Sequence, residues 1–410
     1  MKYVIHRRDV CRICSERGLR RFLHFNDLPF TDDFISAQEK GTEFLAALDI
    51  YWCPECKTAQ TLHDVEVTDY YRGYRYTASR SNFAQQFMHR LAEETFRRFD
   101  LRSGDKVIEV GSGDGYQLSC FKKLGAKVLG FEPSAELTKA SQAAHVPVSQ
   151  CLFTADTVQS IPTAMRPAHV VLLTYTFDHL PDPLPFLRAV HDVIDEDRGL
   201  LLIEVHDLEK IMERRETCLF AHEHSVYLNE LTMKRLLERA GFKLLTAQLV
   251  PESERRGNSL LVAAALQQSS RQPEPFTRYE SLAHMESWPT YAAFGEETEK
   301  SYAGLRDYVR SRTDAGLRLA GYGAGGRGVM ALAMADLHEG DIAYLCDQNE
   351  SFHNLLTPRS HIRVAAPDRL LTDPTDEAIV FSFGYMNEIR QQLKPYETGG
   401  GRLTSLLALL

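Results

Sequence analysis

Short apolar runs, separated by longer mixed stretches, occupy the middle of the chain. Residues 107–110, 127–131, 169–174 and 199–205 are such runs, and glycine or polar residues follow each of them. The pattern from residue 106 onward is strand, glycine turn, helix, strand. Strands that alternate with helices form a parallel sheet with helices on both faces. The sequence therefore predicts an α/β fold whose central sheet is doubly wound.

The segments on either side of this sheet have different patterns. Residues 1 to about 78 are turn-rich. A helix is predicted next, with Ser81 as its cap and with Phe83, Phe87 and Leu91 as one buried stripe. Residues 259–265 look like an antiparallel strand, and the polar residues 267–275 predict an exposed linker. The predicted domains are residues 1–78, 79–266 and 267–410.

The first strand of the sheet leads into a glycine-rich turn. Glycines let the backbone N–H groups of such a turn approach a ligand closely, and an acid ending the second strand can bind both ribose hydroxyls of a nucleoside. The spacing Glu-x-Gly-x-Gly-x-Gly resembles the S-adenosylmethionine loop of methyltransferases more than the dinucleotide pattern Gly-x-Gly-x-x-Gly. A glycine turn without a ligand is the alternative. The predicted cofactor-binding residues are Glu109, Gly111, Gly113, Gly115 and Glu132.

Two Cys-x-x-Cys pairs in the N-terminal segment predict a zinc site. Cys11 and Cys14 form one pair, and Cys53 and Cys56 form the other. Four thiolates complete a tetrahedral structural zinc site with no open position for catalysis. The long stretch between the pairs is no obstacle, because the entropy of loop closure rises slowly with length. A redox dithiol is the competing interpretation.

Composition narrows the class of protein. A chain of 410 residues with 44% hydrophobic content can form two or three domains with real cores. No run reaches the roughly 20 apolar residues of a membrane span, and the first ten residues carry charge where a signal peptide has its apolar core. A net charge of −9 argues against broad nucleic-acid binding. We therefore expect a cytoplasmic enzyme with a small-molecule substrate and no nucleic-acid or membrane partner.

A second glycine-rich turn lies further along the chain. Gly321, Gly323 and Gly326 fit Gly-x-Gly-x-x-Gly, and Asp347 follows about 20 residues later, as in dinucleotide-binding folds. Such a turn also serves other phosphate-bearing ligands, for which Arg327 would add positive charge. An NAD site and a site for another phosphorylated ligand are both open at this point.

The densest group of ionisable residues follows the core strand at 199–205. It contains His222, Glu223, His224 and Tyr227. Histidine suits proton transfer because its reference pKa of about 6.5 lies near working pH. His179, at the end of another strand, is a further candidate. The alternatives are a solvated polar loop and a second metal site, for which His-x-His lacks an evident third ligand.

The order of these parts resembles the sugar C-methyltransferase family, which acts on nucleotide-linked keto-deoxysugars in antibiotic and surface-glycan pathways. The match covers nearly the whole chain. Besides the cysteine pairs and the first glycine turn, it includes Glu-His-x-x-Tyr at 223–227, Gly-Asn-Ser-Leu at 257–260, Gly-Tyr-Gly-Ala at 321–324, and Asp347 with Thr-Pro at 357–358 and His-Ile at 361–362. The resemblance implies a Rossmann-like methyltransferase domain, flanked by a small N-terminal zinc-binding domain and a second Rossmann-like C-terminal domain.

The resemblance also implies a reaction and residue roles. A base removes a proton beside a ketone, and the resulting enolate attacks the methyl group of S-adenosylmethionine. His224 is the expected base, with Glu223 and His222 supporting it and with His179 or Tyr76 stabilising the enolate. Tyr227 completes the expected catalytic set. The last domain is expected to hold the nucleotide-sugar through Arg327, Tyr322, Gly323 and Asp347, rather than NAD.

Two positions depart from the family pattern. The family usually has a Tyr directly before His-Glu-His and an Asn four residues before the strand-end His, where this chain has Ala221 and Tyr175. Both positions are expected to face the reacting sugar, and Tyr175 is also counted among the cofactor-binding residues. The substrate's shape and the carbon methylated are therefore open. The alternative functions are a S-adenosylmethionine-dependent transferase for a nonsugar substrate, an NAD-dependent oxidoreductase and a zinc-bearing scaffold.

Overall fold

The computed structural model describes residues 3–66, 71–72, 74, 77, 79, 81–255, 257–274 and 281–410. Tyr76, one of the predicted catalytic residues, lies outside the described residues. The predicted α/β fold is confirmed, because a mainly parallel Rossmann-like sheet and a fully parallel one follow a small N-terminal β structure.

The N-terminal β structure brings the two cysteine pairs together. Its strands are β1 (Ile5–Arg7), β2 (Arg20–Leu28), β3 (Ala46–Trp52), β4 (Ala59–Thr61) and β5 (His63–Val65). Strands β2, β3 and β4 pair antiparallel in that order. One cysteine pair precedes β2 and the other lies between β3 and β4, so neighbouring strands carry both pairs to the same end of the sheet.

Helix α1 (Asn82–Phe99) follows and differs in part from the prediction. Phe87 and Leu91 are buried, but Phe83 is 36% exposed. The predicted stripe is wrong at that position because the buried face begins at Ala84, which precedes Phe87 by three residues. Ser81 occupies the cap position, but its side chain makes no capping hydrogen bond.

The central sheet has the predicted doubly wound form. The next strands are β6 (Lys106–Val110), β7 (Lys127–Phe131), β8 (Val148–Ser149), β9 (Val170–Thr174), β10 (Leu200–His206), β11 (Val226–Tyr227), β12 (Phe242–Leu249) and β13 (Ser259–Leu266). Within the described residues, all of these except β11 form one sheet in the order β12-β13-β10-β9-β6-β7-β8. Strand β13 runs antiparallel to both of its neighbours, as predicted.

Helices cover both faces of the central sheet. They are α2 (Tyr116–Lys123), α3 (Ala135–Ala143), α4 (Pro183–His191), α5 (Leu208–Glu213) and α6 (Glu230–Arg239). The consecutive residues Val107 and Ile108 of β6 are fully buried in two different hydrophobic cores, one on each face. Burial on both faces explains why these strands are continuous apolar runs in the sequence.

The C-terminal part holds the second parallel sheet. Its elements are α7 (Trp288–Asp314), β14 (Leu319–Tyr322), α8 (Gly326–Met334), β15 (Leu345–Cys346), β16 (Val364–Ala365), α9 (Arg369–Thr372), β17 (Glu377–Val380), α10 (Met386–Gln392), α11 (Lys394–Thr398) and β18 (Arg402–Ser405). The strand order is β16-β15-β14-β17-β18. Helix α7 lies against the N-terminal sheet, since a Cβ on Gly295 would come within 2.0 Å of the Phe22 carbonyl oxygen.

The parts are interlocked rather than strung along the chain. Strand β11 pairs antiparallel with β4, so a segment of the predicted second domain extends the sheet of the first. The predicted domain boundaries stay predictions. Among the described helices, none combines the length and apolarity that a bilayer crossing requires.

Candidate active site

The four cysteines of the N-terminal part form a compact cluster. Cys11 Sγ lies 3.5 Å from Cys56 Sγ, and Cys14 Sγ lies 3.6 Å from Cys53 Sγ. All four sulfur atoms lie within 4.8 Å of one another. Zinc–sulfur bonds of about 2.3 Å give a tetrahedron with edges of about 3.8 Å, so the cluster has the size that zinc requires. The backbone N–H of Ile13 and the Gln60 side chain both donate to Cys11 Sγ, at 3.4 and 3.0 Å, which suits a thiolate.

The first glycine turn, between β6 and α2, needs its glycines. Gly111, Gly113 and Gly115 have φ values of +71°, +54° and +78°, in the left-handed region that side chains disfavour. A Cβ on Gly111 would lie 2.5 Å from Thr176 Oγ1. The turn therefore packs directly against the segment that follows β9, as expected for residues at the carboxyl ends of neighbouring parallel strands.

Two buried acids flank this turn. Glu132 Oε2 accepts the Gly113 N–H at 2.9 Å, and Glu132 Oε1 accepts the Ser134 N–H at 2.8 Å. Glu109 is only 2% exposed, and within the described part of the chain its Oε2 accepts no hydrogen bond. Burial, together with the charges of Asp114 and Glu132, raises the pKa of Glu109 well above its usual value. A buried acceptor of this kind fits the ammonium group of S-adenosylmethionine, and Glu132 fits its ribose.

Three histidines from different segments meet beyond the glycine turn. His179 belongs to the helical turn Phe177–His179 after β9, and His206 ends β10. His224 precedes β11. The ring centroids of His179 and His224 are 4.6 Å apart, and those of His206 and His224 are 5.7 Å apart. The structure thus brings two of the predicted catalytic histidines into contact.

Asp178 lies at the centre of this histidine group. Its Oδ2 lies 3.1 Å from His206 Nδ1, and its Oδ1 lies 4.0 Å from His179 Nε2. Burial alone would raise the pKa of Asp178, but the hydrogen bond from His206 and the neighbouring His224 and His179 hold that pKa far below its usual value. Asp178 is therefore a permanent negative charge beside the imidazoles.

Hydrogen bonds at Nδ1 orient His224 and His179. His224 Nδ1 lies 2.7 Å from the carbonyl oxygen of Leu219. A carbonyl only accepts, so Nδ1 carries the proton and Nε2 has the lone pair that a base needs. His179 Nδ1 lies 2.8 Å from the Tyr71 hydroxyl. Burial and the charge of His224 lower the pKa of His179 to about 3, so His179 is neutral at working pH.

Glu223 connects the histidine group to the other two parts of the chain. Its Oε1 lies 3.5 Å from the Thr31 hydroxyl, and within the described residues its buried Oε2 accepts no hydrogen bond. Burial raises the pKa of Glu223. A Cβ on Gly326, at the start of α8, would lie 3.3 Å from Thr31 Cβ. Thr31 therefore places the second glycine turn next to the histidine-bearing segment.

Two further predicted catalytic residues, His222 and Tyr227, have their polar atoms bound outside the histidine group. His222 is 4% exposed, and its ring nitrogens lie 3.1 Å from His63 Nε2 and 3.0 Å from the Leu28 carbonyl oxygen. Burial and the charge of His63 lower the pKa of His222 to about 3. The Tyr227 hydroxyl bonds to the backbone of Ala221. His222 therefore holds the segment before β11 against the N-terminal part. Tyr227 braces that segment through Ala221, and its ring centroid lies 6.2 Å from that of His224.

The second glycine turn is organised like the first. Asp347 Oδ2 accepts the Ala324 N–H at 2.7 Å, much as Glu132 accepts the Gly113 N–H. Gly323 has a φ of +100°, and the Tyr322 hydroxyl donates to Gln392 at 3.2 Å. The Arg327 guanidinium lies 4.8 Å from the centre of the Phe383 ring. The predicted substrate-binding residues thus occupy one turn and its rim.

Tyr175 has a role that sequence reasoning did not foresee. Its backbone has a φ of +50°, and its ring stacks on His206 with centroids 4.3 Å apart. The Arg255 guanidinium lies 5.0 Å from the centre of the Tyr175 ring. Arg255 also forms a buried ion pair with Glu204 at 2.7 Å. Tyr175 therefore packs against the histidine group through the His206 ring.

The sequence contained uneven signals for the unforeseen residues. Asp178 directly precedes His179 at a strand end, and that position could have revealed it. Tyr71 lies in the same tyrosine-rich stretch as Tyr76. Arg255 lies in a charged stretch that looks like an exposed turn, and Thr31 in a turn-rich one, so neither gave a signal.

Three family models match successive parts of the chain. They describe a zinc-binding domain at residues 11–71, a methyltransferase domain at 76–247 and a C-methyltransferase C-terminal domain at 254–407. C-methyltransferase NovU from Streptomyces niveus is 27% identical over 408 residues, which are 98% of this chain and 96% of NovU. The fold, the site and these matches define a S-adenosylmethionine-dependent methyltransferase with a zinc-binding domain. Within that class, the succession of the three matched domains and the similarity to NovU along nearly its whole length confirm the predicted C-methyltransferase assignment.

Similarity to solved structures is weaker. The 1,6-didemethyltoxoflavin-N1-methyltransferase of Burkholderia thailandensis is 18% identical, with 48% of this chain and 83% of that chain covered and a TM-score of 0.34. The mitomycin 7-O-methyltransferase MmcR is 15% identical, with 45% of this chain and 54% of that chain covered and a TM-score of 0.35. The assignment rests on the family models and the geometry, not on these two structures.

Proposed function

We propose that this methyltransferase transfers a methyl group to a ring carbon beside the ketone of a nucleotide-linked keto-deoxysugar. The observation that carries the proposal is the geometry of His224. Its Nδ1 is fixed by a carbonyl oxygen, which leaves Nε2 free to take a proton at the buried histidine group. The resemblance to sugar C-methyltransferases and the second glycine turn next to this group support a nucleotide-linked substrate.

Proton removal is the step that these residues serve. A carbon-bound hydrogen beside a ketone is a weak acid, so its removal needs a base of near-neutral pKa and a donor for the developing oxyanion. When His224 takes the proton at Nε2, it becomes a cation. The buried carboxylate of Asp178 lies close enough to compensate that charge.

The oxyanion needs a donor that does not lose its own proton easily. His179 is neutral because burial lowers its pKa, and when its Tyr71 partner donates to Nδ1, Nε2 carries the hydrogen. We assign His179 this role, with Tyr76 as the second candidate. Glu223 lies beside Thr31, which contacts the second glycine turn, and from this position Glu223 is assigned to orienting the sugar.

Bound S-adenosylmethionine supplies an electrophilic methyl group on a positively charged sulfur. Gly111, Gly113 and Gly115 are the residues expected to hold it, with Glu109 at its ammonium group and Glu132 at its ribose. The close packing of Gly111 on Thr176 places this turn beside the histidine group. Little movement is then needed to bring the two reactants into contact.

The nucleotide is assigned to the C-terminal part. Arg327 can bind phosphate oxygens, and the backbone of Gly323 lies at the same turn, with Tyr322 and Asp347 shaping it. We further propose a role in deoxysugar formation for antibiotic biosynthesis. A cytoplasmic location suits the four thiolates of the zinc site, because they persist in a reducing compartment.

Hydrogen exchange tests the proposed step directly. The enzyme is incubated in heavy water with nucleotide-linked 4-keto sugars and S-adenosylhomocysteine, and mass spectrometry follows deuterium entering the carbon beside the ketone. Wild-type enzyme and the exposed control His191→Ala should exchange. His224→Ala should lose about 10²- to 10⁴-fold in both exchange and methylation while still binding the cofactor.

The outcomes separate the alternatives. Wild-type exchange persisting in His224→Ala would assign the base elsewhere, and His179→Ala and Tyr76→Phe would then locate it. Methylation of nonsugar ketones but of no nucleotide-linked sugar would replace the proposed substrate class with the alternative one.

A further inference from the structure

We propose that Asp178, His179 and His224 form a binding site for one divalent transition-metal ion, separate from the four-cysteine site. Each of the three side chains offers one donor atom, and these atoms all lie within 4.8 Å of one another. Asp178 and His224 are buried, and His179 is partly buried. The proposed methyl transfer uses no metal at this position.

The Asp178 carboxylate gives the most direct sign of a ligand position. Asp178 is 4% exposed, and its Oδ1 makes no hydrogen bond within the described part of the chain. That oxygen lies 4.0 Å from His179 Nε2. Two donors of one metal ion lie about 3.0–3.4 Å apart when each bond is about 2.1 Å long, so a small rotation of the side chains closes the site.

The histidines are oriented as metal ligands usually are. A metal-binding imidazole commonly has its second nitrogen held by a carbonyl, a carboxylate or a similar acceptor, which fixes the ring. His224 Nδ1 has the Leu219 carbonyl at 2.7 Å, and His179 Nδ1 has the Tyr71 hydroxyl at 2.8 Å. The Tyr71 oxygen can accept as well as donate, so His179 can also present the lone pair of Nε2.

The donor set selects the kind of ion. Two imidazoles and one carboxylate leave open coordination positions and suit Zn²⁺, Co²⁺, Ni²⁺ or Fe²⁺, whereas Mg²⁺ and Ca²⁺ prefer oxygen ligands. The absence of sulfur distinguishes this site from the cysteine cluster. His206 is hydrogen-bonded to Asp178 Oδ2 and fixes the carboxylate, so Oδ1 is the oxygen that can bind the ion.

Occupation of the site has a consequence that rests on the proposed function. An ion bound at His224 Nε2 takes the lone pair that proton removal requires. Metal binding and catalysis then exclude each other, and transition-metal ions inhibit the enzyme without displacing S-adenosylmethionine.

Cobalt distinguishes the two metal sites in one experiment. Zinc-loaded protein is titrated with Co²⁺, and the visible absorption is recorded. We expect one further equivalent to bind, with d–d bands but without the strong sulfur-to-cobalt charge-transfer bands of a thiolate site. Asp178→Asn and His224→Ala should each weaken this binding at least tenfold. The control Asp182→Asn, which changes a half-exposed carboxylate four residues on, should leave it unchanged.

The result does not depend on any substrate. Two results overturn the metal site. One is that zinc-loaded wild type binds no further equivalent of Co²⁺. The other is that Asp178→Asn and His224→Ala both bind Co²⁺ with unchanged affinity while S-adenosylhomocysteine binding stays intact. If cobalt binds as expected but no nucleotide-linked sugar is methylated, the site stands and the proposed function fails.

Discussion

Replacing Glu132 by alanine tests the cofactor site most sharply. The two oxygens of Glu132 each accept one backbone N–H, from Gly113 and from Ser134. A carboxylate oxygen has two lone pairs, so each can accept one ribose hydroxyl as well. Hydrogen bonds to charged groups contribute about 1.5–3 kcal/mol, so losing the ribose contacts should weaken S-adenosylmethionine about 10- to 150-fold.

The same substitution also removes the two hydrogen bonds from Gly113 and Ser134 that shape the turn itself, and the assay must separate this effect from the loss of the ribose contacts. Calorimetry is run on wild type and Glu132→Ala with S-adenosylhomocysteine and with its analogue lacking both ribose hydroxyls. Direct contact predicts that the variant loses affinity for the normal ligand but little for the analogue. Glu136→Ala, at an exposed acid four residues on, is the matched control.

Two results would refute this reasoning about Glu132. An unchanged dissociation constant in folded Glu132→Ala removes the acid from the cofactor site. An equal loss for both ligands shows that Glu132 only shapes the turn.

The remaining predictions concern zinc, pH and the substrate. Purified chain should contain about one structural zinc, and Cys53→Ser should lose it together with thermal stability, whereas Cys151→Ser, at a half-buried cysteine outside the cluster, should not; metal analysis and thermal unfolding decide. His63 and His222 have pKa values lowered by burial to about 4 and about 3, so below the unfolded value of about 6.5 the unfolded chain binds protons that the folded chain excludes, and stability falls as the pH falls. His222→Gln should reduce that slope between pH 5.5 and 4.5 by about 1.4 kcal/mol per pH unit in denaturant unfolding, and an unchanged slope would show that His222 titrates normally. Arg327→Ala should raise KM for a nucleotide-linked substrate without changing S-adenosylhomocysteine affinity, unlike the exposed control Arg363→Ala; equal KM values would move the phosphate contact elsewhere.

Local patterns were enough to predict the central sheet, the glycine turns and the cysteine cluster. Each depends on residues close together in sequence or on a spacing with one geometric meaning. The turn at Gly111–Gly115 is an example, because its three positive φ values explain the glycines without reference to the rest of the chain. Phe83 was predicted wrongly for the same reason, because the prediction used only nearby residues. An apolar residue in the first turn of a helix does not show whether another part of the chain packs against it.

The histidine group could be predicted only in part. The ends of β9 and β10 are neighbours in any sheet of this order, so His179 and His206 come close together once the strand order is known. The position of His224 depends on β11 joining the N-terminal sheet, which is a pairing between distant segments. His222 and His224 lie in the turn before β11, and this turn directs His222 towards His63 and His224 towards the Leu219 carbonyl oxygen.

The pairing of β11 with β4 also limits how such enzymes can be recombined. The segment that carries His224 pairs with the cysteine-bearing sheet. If the N-terminal part is exchanged for that of a relative, β11 must pair with a strand of different sequence, and the position of the proposed catalytic base changes. A working chimera should therefore exchange residues 217–228 together with the N-terminal part. The two stretches are one unit for exchange, although about 150 residues separate them along the chain.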